Sequence, residues 1–131
     1  MMWAGYAASV WAFVFTIPHI YWAVGGTAGL ADHAMTGPLL AINLVAIPLC
    51  LLAAIVALAI VRSWEVPRWL LLPLVWGAGT VLSVRGIVGL VQRALSIDQI
   101  GQQPVLALLA DPWFLLGGVL FSITAWSYTH R

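Results

Sequence analysis

Lysine is absent from this chain, and its five arginines are scattered rather than clustered. No basic face can follow a phosphate backbone, so nucleic acid is excluded as a partner. Charge of either sign is scarce: 7% of the 131 residues are charged, where a soluble domain carries roughly a quarter. Cysteine is scarcer still. Cys50 stands alone, which excludes an internal disulfide and thiol-pair redox chemistry and leaves the redox compartment open. Haem or copper wants two or more histidines or thiolates at one depth, and His19, His33 and His130 are spread along the chain. No phosphate loop, nucleophile elbow or HExxH motif is present, so no metal and no cofactor is expected.

What the chain has instead is apolar surface. Hydrophobic residues make up 63% of it and the mean hydropathy is +1.05, so the solvent is membrane. Four long apolar runs, about 3–24, 38–61, 67–91 and 112–128, each approach the roughly 20 residues that cross a bilayer. Three of them open on proline, which is tolerated at a first helical position. Asp111 before Pro112 reads as an N-cap. Residues 104–110 are apolar too, and they fit either a short interfacial helix or an extension of the fourth span. The first run lacks the positive n-region of a signal peptide and is about twice the length of a usual h-region, so it reads as a span. The expected fold is one domain, 1–131, an all-α bundle of four transmembrane helices that passes through the cell membrane several times.

Arginine placement orients the bundle. Arg62, Arg68 and Arg131 fall on one side and Arg93 on the other, which places both termini in the cytoplasm. Trp3, Trp64, Trp69 and Trp126 then lie at the inner boundary, and Trp22 and Trp113 at the outer, as an aromatic belt requires. Trp11 and Trp76 lie deeper and are expected to pack together inside the bundle.

Depth arithmetic selects candidate site residues. His19 is sixteen residues into the first span, about 24 Å up at 1.5 Å per residue. Arg85, seventeen residues beyond Arg68, reaches nearly the same height, and Asn43 descends into the same band from Pro38. Polar groups at membrane depth turn toward the bundle interior or a wet cavity. His19, Trp22, Asn43 and Arg85 are therefore expected to line an outer-leaflet pocket beneath residues 25–37. Arg85 has Gly89 at i+4 and Gln92 at i+7 on its face, and Asp111, Asp32 or a bound anion as possible partners. Each member also has a plainer reading: Arg85 snorkelling to headgroups, Asn43 as an interhelical strut, and the His19 ring satisfying a carbonyl freed by Pro18. Gly77, Gly79, Gly86, Gly89, Gly117 and Gly118 fit either packing within one chain or contacts in a homo-oligomer.

The H-x-Y-W-x-x-G-G stretch from His19 to Gly26, the Arg85-Gly86 pair and Asp111 together resemble an uncharacterised family of small four-helix bacterial integral membrane proteins. The resemblance implies a four-span bundle and no activity, and it marks His19, Trp22, Gly25, Gly26 and Arg85 as shared positions. Residues 93–110 depart from that pattern.

Three function classes remain open. The first is a binding module for a lipid, an isoprenoid or a partner helix in the bilayer. The second is a membrane-embedded enzyme, such as a prenyl-chain cyclase or isomerase, with Asp111 or Asp32 as the acid and aromatic rings stabilising carbocations. The third is a transporter or channel subunit, which would need oligomerisation because four helices enclose little lumen.

Overall fold

The computed structural model describes residues 2–28, 36–96 and 105–131. Asp32, His33 and Asp98 lie outside the described residues. Four helices make up the described chain: α1 (Met2–Ala23), α2 (Gly37–Val61), α3 (Arg68–Leu95) and α4 (Val105–Thr129). Three of them, α2, α3 and α4 from Leu108 onward, are long and apolar enough to cross a membrane. At 22 residues α1 matches that length, but its Trp, Tyr, His and Pro residues lower its hydropathy. Large apolar side chains cover the outside, Val10, Phe13, Ile42 and Val81 among them. Such a surface suits lipid as solvent and aggregates in water.

Consecutive helices run antiparallel. The Ser9 hydroxyl donates to the Ala54 carbonyl at 2.9 Å, while Asn43 reaches His19 near the opposite end. α1 packs closely on α2 and α3 on α4, and the two hairpins join mainly through α1 against α4. The core sits toward the end that holds both termini: Ala8, Trp11, Ala12, Ala57, Ile60, Val75, Phe121 and Ala125 are buried there. Asn43 is the only residue of α2 before Ala54 that is fully buried.

The turn between α2 and α3 is built without glycine. Arg62 caps α2 and Ser63 takes φ 52°, with the Trp64 N–H donating to Ala59 O and the Ser63 N–H to Ile60 O. This is the left-handed helix stop that glycine usually provides. Arginines finish the same end: Arg68 donates to Thr129 O at 2.7 Å and Arg131 to Ile60 O at 3.0 Å, both over the Tyr128 ring. Cations at helix C-termini satisfy orphan carbonyls and complement the macrodipole.

Three sequence expectations change here. α4 begins at Val105, so 105–110 extend the fourth helix and Asp111 lies inside it rather than capping it; the Leu and Ala residues of 106–110 are good helix formers and carry the helix past the proline. α3 continues to Leu95 through Gln92, Arg93 and Ala94, which places Arg93 on a helix instead of in a loop. Trp11 and Trp76 do not meet. Trp11 stacks on Trp113 with centroids 5.4 Å apart, and Trp76 donates to the Thr129 hydroxyl.

Small residues set the α3–α4 approach. A Cβ at Gly86 would stand 2.7 Å from the Leu115 backbone nitrogen, and one at Gly79 would stand 3.1 Å from that of Ser122. Gly77 faces open space. Gly86→Val is therefore expected to lower unfolding stability in detergent by about 1–3 kcal/mol through overpacking, whereas Gly77→Ala gains about 0.5–1 kcal/mol from helix propensity. Equal melting temperatures for the two variants would contradict this interface.

Candidate functional site

The site grows from the spacing of one α3 face. Arg85, Gly89 and Arg93 follow at i, i+4 and i+8, so their side chains share a stripe. The Asp111 carboxylate of α4 lies over the middle of that stripe, where glycine leaves the space. A Cβ at Gly89 would overlap the carboxylate itself and stand 2.6 Å from Nη1 of Arg85. Arg85 Nη1 donates to Oδ1 at 2.9 Å and Arg93 Nε to Oδ2 at 2.5 Å. The Asp111 side chain is 2% exposed, that of Arg93 21% and that of Arg85 49%. A carboxylate removed from solvent to this degree is tolerated only when paired and hydrogen-bonded, and here each oxygen has its own guanidinium.

Beside this clamp is a pocket of about 270 Å³ lined by Arg85, Gly89, Gln92, Arg93, Ser96 and Asp111. Among the described residues, Arg85 gives Nη1 to Asp111 and lays its plane over the Phe114 ring, with Cζ 4.8 Å from the centroid. Its Nε and Nη2 have no hydrogen-bond partner among the described residues.

His19, Trp22 and Asn43 stand on the neighbouring hairpin, and a file of rings links them to Arg85. Phe114 meets Phe15 edge-on at 5.2 Å, Phe15 meets His19 at 4.5 Å, and His19 meets Trp22 at 5.7 Å. Edge-to-face pairs at these distances are favourable beyond their burial. The His19 Nδ1 lies 2.6 Å from the Phe15 carbonyl, and since a carbonyl only accepts, Nδ1–H is the donor. That carbonyl belongs to His19's own i−4 residue, not to Val14, whose acceptor Pro18 leaves without a helical partner. Asn43 Nδ2 donates to the His19 carbonyl at 2.8 Å, tying α2 to α1. Its Oδ1 is buried and has no hydrogen-bond partner among the described residues.

The rest of the H-x-Y-W-x-x-G-G stretch is a helix stop with a clasp. Gly25 takes φ 101° and donates to Trp22 O, while Gly26 donates to Tyr21 O. The Tyr21 ring fills the place a Cβ on Gly26 would need. Beyond it the Ala28 N–H donates to the Tyr21 hydroxyl at 3.2 Å, and Trp22 Nε1 donates to Ala28 O at 2.8 Å. Both backbone groups of one loop residue are thus held by adjacent aromatics of α1.

The structure therefore brings Arg85 to Asp111, and His19 to Asn43 and Trp22, as two clusters bridged by Phe15 and Phe114. Sequence reasoning missed Arg93 as a clamp member, although its i+8 spacing from Arg85 was the available signal once α3 extends past residue 91. Among the described residues no three His, Cys, Asp or Glu side chains gather where a metal ion could be held.

A family model for proteins of unknown function, DUF3995, matches residues 12–121. The chain belongs to the DUF3995 family. The match agrees with the resemblance to an uncharacterised family, and within it lie His19, Trp22, Asn43, Arg85, Arg93 and Asp111. Neither curated proteins nor solved structures give a match to this DUF3995 chain.

Gly89→Ala should displace the Asp111 carboxylate from both guanidiniums. The expected loss is about 2–3 kcal/mol, below the figure for a fully buried broken pair because Arg85 is half-exposed. Thermal unfolding in detergent measures it, and a melting temperature equal to the parent's contradicts the clamp.

Proposed function

We propose that this protein is a non-catalytic membrane module whose polar pocket holds the polar end of a lipophilic ligand. In this reading all four helices span the cell membrane, both termini are cytoplasmic and the pocket opens in the outer leaflet. The orientation rests on Arg62, Arg68 and Arg131 at the terminal end against Arg85 and Arg93 toward the other, the bias that keeps arginine-rich ends inside.

The observation that carries the reading is the half-exposed Arg85 beside a 270 Å³ polar pocket, on a helix whose surroundings are apolar. A guanidinium facing hydrocarbon is costly. Asp111 compensates one edge of Arg85, and a ligand's polar group seated on the other edge would lower the remaining cost. His19, Trp22 and Asn43 act in this scheme as the frame: they fix α1, α2 and the loop at residue 28, and the Phe15–Phe114 contact transmits that position to Arg85. The apolar tail of the ligand lies in the bilayer.

Acid catalysis by Asp111 fits less well, because both carboxylate oxygens already accept from arginines and neither is presented to a substrate. Asp32, the other acid considered, lies outside the described residues.

Native mass spectrometry of the protein released gently from its own membrane tests the proposal. A stoichiometric amphiphile is expected on the parent and is expected to be lost, by at least tenfold in occupancy, from Arg85→Leu that remains folded under the same conditions. A bare mass for the folded parent contradicts it.

A further inference from the structure

Resting on the pocket reading above, we infer that the group seated at Arg85 is a phosphate ester. Arg85 offers Nε and Nη2, two parallel donors in a fixed fork, after Nη1 has been given to Asp111. Gln92 and Ser96, about two and three turns beyond Arg85, line the same pocket and add an amide and a hydroxyl as neutral donors. A planar carboxylate is matched by the fork alone. A tetrahedral phosphate presents oxygens to the fork and to donors outside its plane together.

Three further features fit that class. The pocket volume of about 270 Å³ lies near the lower end of small-molecule sites, about 300 Å³, which suits a phosphate with a few attached atoms rather than a whole lipid. The position, from mid α3 to its end at Leu95, runs from acyl depth to headgroup depth, so an amphiphile can place its phosphate in the pocket without its chains leaving the bilayer. Asp111, the one acidic side chain in the described lining, is turned to the arginines through both oxygens and does not oppose the anion directly.

The test uses the full-length protein in a maltoside micelle, which contains no phosphate. Dioleoyl phosphatidic acid, dioleoylglycerol, oleate, glycerol 3-phosphate and inorganic phosphate are titrated separately, with binding read by native mass spectrometry and by thermal shift. Phosphatidic acid is expected to bind at least tenfold more tightly than dioleoylglycerol or oleate, and added salt should weaken it. Arg85→Gln should cost at least tenfold in that affinity; Arg85→Lys, which keeps the charge and loses the fork, should fall between. Gln92→Ala, on a neighbouring exposed position, provides a second variant should the Arg85 substitutions unfold the protein, and a severalfold loss is expected. Equal binding of glycerol 3-phosphate supports the phosphate class and assigns a soluble source. Binding of dioleoylglycerol or oleate as tight as phosphatidic acid overturns the phosphate inference while leaving an amphiphile site in place. If nothing binds to the folded parent, the inference and the pocket reading both fall.

Discussion

A carboxylate hidden from solvent inside an apolar bundle must be neutralised where it stands, and that requirement organises the end of this molecule opposite its termini. Asp111 lies more than a turn inside α4, so fraying of the helix end does not carry it to water. Two guanidiniums come to it from one face of α3, and the helix between them carries glycine because no side chain fits beneath the carboxylate. Close approach of α3 and α4 along Gly79, Gly86 and Gly118 is then both a result of small-residue packing and the condition for the ion pairs to form. Packing and charge fix the same helix register.

The polar residues of α1 and α2 are connected to this clamp mechanically rather than by direct bonds. Asn43 binds a backbone carbonyl, the His19 ring binds another, and Tyr21 and Trp22 grip Ala28. These contacts position rings, and the rings run from Trp22 through Phe15 to Phe114 beneath Arg85. A cation resting on an aromatic face, with one edge paired and the other open, is pre-organised for an acceptor from outside. The buried Oδ1 of Asn43, without a hydrogen-bond partner among the described residues, marks a second place where the bundle interior has unused polar capacity.

Much of the fold could be read from residue order alone, since apolar runs of membrane length separated by polar stretches determine helix number and alternation. Boundaries were harder to read. Asp-Pro at 111–112 looks like a helix start on local grounds, yet the Leu and Ala residues of 106–110 are strong helix formers and the helix begins at Val105. The third apolar run stops at Val91, where polar Gln92 and Arg93 follow, but the helix continues to Leu95, and that difference hid Arg93. Arg85 and Asp111 could be paired on paper because few charges exist to choose from. The division of His19, Asn43 and Trp22 into a frame, separate from the arginine pocket, depends on azimuth around each helix, and depth arithmetic contains no azimuth. The paired glycines of the first-helix motif had a legible meaning that chemistry alone would have supplied: Gly25 stops a helix, and Gly26 makes way for Tyr21.

The most direct test of the clamp is a double-mutant cycle between Arg85 and Asp111, with each residue replaced by leucine singly and together and unfolding stability measured in one detergent. If the carboxylate is held by Arg85, the two losses should fail to add, with a coupling free energy above about 1 kcal/mol and a double variant close to the Asp111→Leu single variant. Losses that add within about 0.3–0.5 kcal/mol would show two independent residues and contradict the interaction on which the pocket depends.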